Sequence, residues 1–424
     1  MILKDKNIIL CIGGSIACYK AVEVYRRLKK EGASVKIIVS RPASKFISPY
    51  IFESFGEEVY TDDAFKKPLA HIELAKNADA ILIAPATFNT INKIACGIAD
   101  TLITLVVSAS PAIPKILVPA MNEKMFSNGI LKENIDKLAR FNFNIVRPVV
   151  GELACGEYGE GRFPEINDII FEVESAFKDK RFKGKRILIT AGATREYLDP
   201  VRFISNGSSG KMGVSLANEA GKLGADVILI GSNIDFSCHY INKDIKIIKA
   251  VSFKDLREAL FQEFPKSDIL IMTAAVSDFG FKEKSPFKIK KTGLNLKLNL
   301  VQNEDLLEAV SHIKKPSQII FGFAAETRIT PGRRSGQTVK IKHPLTVHSD
   351  KAGQINSIIE NARKKLVEKS LDYIFVNDVS NGIIGEDDSE GFMIKNNGEI
   401  RRFEKMKKTD LSEKLFEEMR QRTL

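Results

Sequence analysis

Short apolar runs separated by amphipathic stretches set the rhythm of the first half of the chain. Residues 6–12, 34–39, 80–84, 115–118 and 143–146 are brief and rich in Ile, Leu and Val, which predicts β-strands. Residues 16–30 change to a helical spacing of apolar and charged positions and predict a helix. Strands alternating with helices predict βαβ units and a parallel sheet with helices on its faces. The polar segment 178–185 then reads as a linker. A second alternation follows, with strands at 186–190, 226–230, 268–273, 319–323 and 372–376 and a helix at 212–223. The pattern predicts two Rossmann-like α/β domains, 1–177 and 186–424, the second with no detectable sequence repeat of the first. Residues 327–356 have no clear periodicity and hold six Lys or Arg against one Asp. A flexible basic insertion or flap is expected near 328–357.

Composition narrows the function classes. At 424 residues, 44% hydrophobic and 28% charged, the chain has an ordinary globular balance for two or three domains. No apolar run approaches the ~20 residues of a membrane helix. Residues 1–20 run into Gly13-Gly14-Ser15 and read as a strand and turn, not a signal peptide. A cytoplasmic protein with no membrane partner is expected. The five cysteines, Cys11, Cys18, Cys96, Cys155 and Cys238, form no C-x-x-C pair, which argues against disulfides and structural zinc. The formal charge of +11 is spread along the chain without a recognition motif. Anionic, phosphate-bearing substrates are expected rather than nucleic acid.

Chemistry-bearing residues follow the predicted strands, where ligands of open α/β sheets bind. Gly13-Gly14-Ser15-Ile16-Ala17 stands at a strand-to-helix turn. It suits a phosphate at backbone N–H groups, or simply a tight turn. It is not the G-x-G-x-x-G pattern, so a mononucleotide is favoured over NAD. Ser40 ends the second strand as a further phosphate contact. Residues 84–90 offer Thr87 and Asn89 either to the polar edge of a flat heterocycle or as a helix cap. Pro119-Ala120-Met121-Asn122-Glu123-Lys124-Met125 and Leu153-Ala154-Cys155-Gly156 add an amide and a thiol. Gly151, Gly156, Gly159 and Gly161 around Cys155 suit a mobile lid.

With His71-Ile72-Glu73-Leu74, these motifs resemble the flavin-dependent cysteine decarboxylases over about residues 5–175. They are most similar to the phosphopantothenoylcysteine decarboxylase half of the bifunctional coenzyme A biosynthesis family. The resemblance implies FMN as cofactor, with Gly14, Ser15, Ser40, Thr87, Asn89 and Ser108 around it. It implies His71 as catalytic base, Asn122 as holder of the substrate carboxylate and Cys155 as proton donor on a flap. A β-mercapto carboxylate has no electron sink, and flavin oxidation of its thiol to a thioaldehyde creates one. Loss of CO2 gives an enethiolate, which takes back the electrons and a proton from Cys155. Phe88 and Phe126 depart from the usual pattern.

The second half carries Ser205-Asn206-Gly207-Ser208-Ser209-Gly210-Lys211-Met212-Gly213, which has neither the spacing nor the Ser/Thr of a Walker A loop. It continues with Ala274-Ala275-Val276-Ser277-Asp278, Lys288-Ile289-Lys290-Lys291, Gly322-Phe323-Ala324-Ala325-Glu326-Thr327 and Asn377-Asp378-Val379. This ordered set resembles phosphopantothenate–cysteine ligase over about residues 185–405, which implies that fold for the C-terminal domain. Implied substrates are 4'-phosphopantothenate, cysteine and CTP, with Mg2+, through an acyl-cytidylate. By the same resemblance Asn206 contacts the intermediate and Lys288 stabilises charge as it forms. Ala274, Asp278 and Phe323 bind the nucleotide, with Lys365 and Lys369 near its phosphates. Gly207, Glu304 after Asn303, and the basic insertion depart from the pattern. A homo-oligomer of decarboxylase trimers and ligase dimers is implied as well. The alternative is a non-catalytic regulatory flavoprotein of the same fold.

Overall fold

The computed structural model describes residues 2–63, 69–290, 296–326, 351–378 and 386–419. The chain divides into two compact units, Met1–Asp179 and Lys180–Leu424.

In the first unit the strands are β1 (Asn7–Ile12), β2 (Ser34–Val39), β3 (Val59–Thr61), β4 (Ala80–Ala86), β5 (Lys115–Pro119) and β6 (Phe143–Ile145). They form one parallel sheet in the order β3-β2-β1-β4-β5-β6. The apolar runs have no polar alternation because both faces are covered. Ile8, Leu10 and Ile12 of β1 enter one core cluster, whereas Ile9 and Cys11 enter the other. Burial pushes the Cys11 and Cys18 thiols up, which leaves them inert small hydrophobes. The expected helix at 16–30 begins as a 3-10 turn, Ile16–Lys20, and becomes α-helical over Ala21–Lys30. Past the sheet, β7 (Val149–Glu152) and β8 (Tyr158–Arg162) form an antiparallel hairpin with Cys155 in its turn.

The second unit contains β9 (Arg186–Gly192), β10 (Arg195–Tyr197), β11 (Phe203–Ser205), β12 (Asp226–Ser232), β13 (Lys246–Ala250), β14 (Ile269–Met272), β15 (Phe279–Phe281), β16 (Leu300–Gln302), β17 (Ile319–Glu326), β18 (Tyr373–Asp378), β19 (Asp388–Lys395) and β20 (Ile400–Lys407). Its main sheet runs β13-β12-β9-β14-β17-β18-β19-β20. It is parallel as far as β18, and β19 and β20 close it as an antiparallel ribbon. Strand order therefore repeats between the units, outward on both sides of the first strand, although no sequence repeat is visible. β10–β11 and β15–β16 are two-stranded hairpins beside this sheet.

The expected linker at 178–185 needs correction from Lys180 onward. Phe182 is fully buried in the second unit's core, edge-on to Phe416, and its N–H donates to Leu223 O at 3.1 Å. Apolar burial pulls this short stretch into the domain despite its charged neighbours. The expected basic insertion lies outside the described residues up to 350. Residues 351–357 open the helix Lys351–Glu368.

Candidate functional site

In the first unit, the strand order reverses direction between β1 and β4, and the loops after these strands and β2 gather at their carboxyl ends. Gly13 N–H donates to Pro85 O at 3.0 Å, joining the two central loops. A Cβ on Gly13 would lie 2.5 Å from that oxygen, and one on Gly14 would lie 2.4 Å from Pro42 Cβ. Ser15 Oγ accepts from Ala17 N and Ser40 Oγ from Ala43 N. Thr87 Oγ1 accepts from Thr90 N and lies 2.9 Å from the Thr90 hydroxyl. These caps use hydroxyl lone pairs and leave the O–H hydrogens of Ser15 and Ser40 able to donate to an anion. Ile16 and Phe46, in the loops after β1 and β2, are each 58% exposed. Hydroxyl donors with exposed apolar surface nearby fit the phosphate and flat ring of FMN. Asn89 is exposed on the helix Phe88–Ala95, whereas Ser108 Oγ donates to Thr104 O of its own helix.

The amide and the thiol meet across 33 residues of sequence. Asn122 caps the helix Glu123–Phe126, its Oδ1 accepting from Lys124 N at 2.9 Å. Capping fixes the amide plane, so Nδ2 projects away from the helix. It donates to Cys155 Sγ at 3.3 Å and to Glu157 Oε2 at 2.7 Å. The Cys155 thiol donates to the same Oε2 at 3.5 Å, and Lys124 Nζ lies 2.9 Å from Glu157 Oε1. Hydrogen bonds from Lys124, Asn122 and Cys155, in that order of weight, hold the Glu157 carboxyl down at about 2. Sequence reasoning missed Glu157; its place two residues beyond Cys155, across a turn through left-handed Gly156, was the available signal.

The hairpin sits on the Asn122 loop because two glycines let the backbones touch. Met121 N–H donates to Gly161 O at 3.0 Å, and a Cβ on Gly161 would lie 2.2 Å from Met121 O. A Cβ on Gly159 would meet the Glu123 carboxylate at 2.3 Å. His71 is half-buried on the first turn of Ala70–Lys76 and makes no hydrogen bond or ion pair among the described residues. It is not bonded to the Asn122 group. Phe88 and Phe126 pack against the apolar cluster beneath the sheet.

In the second unit the loops after β9 and β14 interlock. Asn206 Nδ2 donates to Val276 O at 3.0 Å, and Ser277 N donates to Thr194 Oγ1 at 2.9 Å. Ala274 N is held by Thr190 Oγ1, and Asn303 N donates to the backbone oxygen of exposed Asp278. Lys288 is exposed, but its neighbour is clamped. Buried Asp199 accepts from Ile289 N at 3.1 Å and Arg202 Nη1 at 2.7 Å, and that same Nη1 donates to Ile289 O at 3.1 Å. Burial disfavours the Asp199 charge, yet hydrogen bonds from the Val201, Ile289 and Arg202 backbone and the Arg202 charge hold its carboxyl down at about 2.

The nucleotide residues are more dispersed. Phe323 is partly buried and lies between Phe321 and Phe375, centroids 4.9 and 5.3 Å away with the rings tilted. Lys365 pairs with Glu326 at 2.5 Å, and Lys369 pairs with Asp305. Glu304 pairs with Arg257 at 2.8 Å. Among the described residues no group of three His, Cys, Asp or Glu is arranged to hold a metal. No helix among them is long and apolar enough to cross a membrane.

Comparison with known proteins defines the class first. Residues 2–178 match the Flavoprotein family, and residues 182–350 and 352–423 match the DNA/pantothenate metabolism flavoprotein C-terminal domain. The chain is 38% identical to the coenzyme A biosynthesis bifunctional protein CoaBC of Bacillus subtilis, over 98% of this chain and 97% of that one. It is 36% identical to the protein of that name from Borreliella burgdorferi, over 97% and 98%. The crystal structure of the C-terminal domain of a coenzyme A biosynthesis bifunctional protein CoaBC is 29% identical, with a TM-score of 0.43 over 57% of this chain and 96% of that one. The chain belongs to the family of coenzyme A biosynthesis bifunctional proteins.

Proposed function

We propose that the chain makes 4'-phosphopantetheine from 4'-phosphopantothenate and cysteine. In the second unit the pantothenate carboxylate attacks the α-phosphate of CTP and pyrophosphate leaves. The acyl-cytidylate then acylates the cysteine amine, with release of CMP. In the first unit phosphopantothenoylcysteine loses its carboxyl group as CO2. FMN, when bound by the loops of Gly14, Ser15, Ser40 and Thr87, supplies the two-electron chemistry this decarboxylation needs. Asn89 and Ser108 complete the proposed surroundings of the cofactor.

Asn122 holds the substrate carboxylate through Nδ2, Cys155 gives its thiol proton to the product, and His71 acts as base. Asn206 contacts the acyl-nucleotide and Lys288 meets the phosphate charge. Ala274, Asp278, Phe323, Lys365 and Lys369 complete the nucleotide site; the two lysines exchange their carboxylate partners for phosphates. Magnesium enters with the nucleotide, bound through its phosphates. Decarboxylase trimers, ligase dimers and a cytoplasmic location belong to the same reading, and light scattering of the intact protein tests the assembly.

The observation that carries the proposal is the meeting of Asn122 Nδ2 and Cys155 Sγ at 3.3 Å in the unit whose parallel sheet reverses strand order between β1 and β4. Mass spectrometry of the protein given 4'-phosphopantothenate, cysteine, CTP, magnesium and FMN tests it. Phosphopantetheine with CMP is expected. Absence of both overturns the proposal.

A further inference from the structure

The Glu157 side chain, in the turn of the flap, bonds Asn122, Lys124 and Cys155 at once. Its Oε2 accepts from both the Asn122 amide and the Cys155 thiol, and its Oε1 faces Lys124. Sulfur, amide and carboxylate thus form a closed triangle, because Asn122 Nδ2 also donates to Cys155 Sγ. An ionised carboxylate can only accept, so it dictates where the thiol proton and one amide hydrogen point. Its ion pair with Lys124 adds little energy, since the Lys124 side chain is 81% exposed. Consequently the triangle sets orientation without locking the hairpin shut.

We propose that Glu157 is a positioning residue of the decarboxylation: it holds the Cys155 thiol against the Asn122 amide and yields that amide to the incoming substrate carboxylate. This rests on the roles given above to Asn122 and Cys155. The amide hydrogen that would bind the substrate already binds a carboxylate of the chain's own. Entry of substrate is therefore an exchange of one carboxylate for another at Nδ2, with Glu157 keeping Lys124 and the thiol. Loss of CO2 from the oxidised substrate leaves an enethiol, and two electrons with two protons, one of them from Cys155, convert it to the thiol product. Where the thiol is misdirected, the enethiol departs two hydrogens short and the two electrons remain with the cofactor.

The test uses the full chain and the variants Glu157→Gln and Glu157→Asp. In the protein without substrate, iodoacetamide labelling of Cys155 is followed by peptide mass spectrometry. The rate is expected to rise at least fivefold in E157Q and to return to within twofold of the parent in E157D. With FMN and supplied phosphopantothenoylcysteine, kcat of E157Q is expected to fall at least tenfold while KM stays level or drops. Part of its product should be two mass units lighter than phosphopantetheine, and E157D should restore the full product. Labelling and kcat of E157Q within twofold of the parent would overturn the proposal, as would a lost kcat with raised KM and no recovery in E157D. A parent protein that makes no product counts against the decarboxylase reading itself, whereas unchanged labelling in E157Q counts against the role of Glu157 alone.

Discussion

Gly161 supports the candidate decarboxylation site by lacking a side chain. Gly161→Ala would drive a methyl group to 2.2 Å from Met121 O, so the hairpin must lift from the Asn122 loop. Decarboxylation of supplied phosphopantothenoylcysteine is expected to fall more than tenfold, while CMP release by the other unit is unchanged; the two assays on one preparation check this. Asp199 works by charge instead. Its folded value is depressed to about 2, against about 3.9 for a free Asp, so its contribution to stability is fully present above about pH 4 and is lost as pH falls towards 2. Urea denaturation between pH 2 and 5 should show a smaller acid loss in Asp199→Asn than in the parent. The Asn122 amide and the Cys155 thiol stood out in the sequence because unusual residue types kept recognisable company, and the fold brings the two together. Glu157 and the clamping role of Asp199 did not, because an acidic residue in a polar turn looks the same whether it faces water or a functional group.

Elements were legible where apolar residues ran without interruption. β1, β4 and β5 begin within a residue of expectation, since a strand covered on both faces leaves a nearly unbroken apolar signature. The β7–β8 hairpin gave no such signal: Tyr158–Arg162 reads Tyr, Gly, Glu, Gly, Arg, with alternate residues open to solvent. Its pairing depends on contact with a loop distant in sequence. Phe182 was hidden in the opposite way, a single aromatic residue among lysines and arginines. Removing its ring should leave a cavity facing Phe416, and Phe182→Ala is expected to destabilise the second unit by about 3–5 kcal/mol. Thermal unfolding followed by calorimetry should show that unit's transition moving to lower temperature and the other staying in place.

At the scale of the whole molecule, two units with separate apolar cores carry the two halves of one proposed conversion. Single-site lesions should therefore separate cleanly. Lys288→Ala is expected to abolish CMP release yet leave decarboxylation of supplied phosphopantothenoylcysteine within twofold, whereas Cys155→Ser should accumulate ligase product or its enethiol. Liquid chromatography of the reaction mixture distinguishes these outcomes. The two-domain plan was legible from the break in apolar rhythm near 178. The shared strand order was not, because topology is fixed by which strands pair and leaves no repeat in the letters.

That strand order also governs the chain during synthesis. In each unit the strand made first ends in the middle of the sheet, and one flank is covered early, by β2 or β12. The other flank waits about 70 residues or more: β1 ends at Ile12 and β4 begins at Ala80, while β9 ends at Gly192 and β14 begins at Ile269. At ribosomal speeds of about 5–20 residues per second, that interval lasts roughly 4 to 15 seconds. Through it an edge as apolar as Ile8–Ile12 or Ile187–Ile189 stands bare in the nascent chain, twice in one polypeptide.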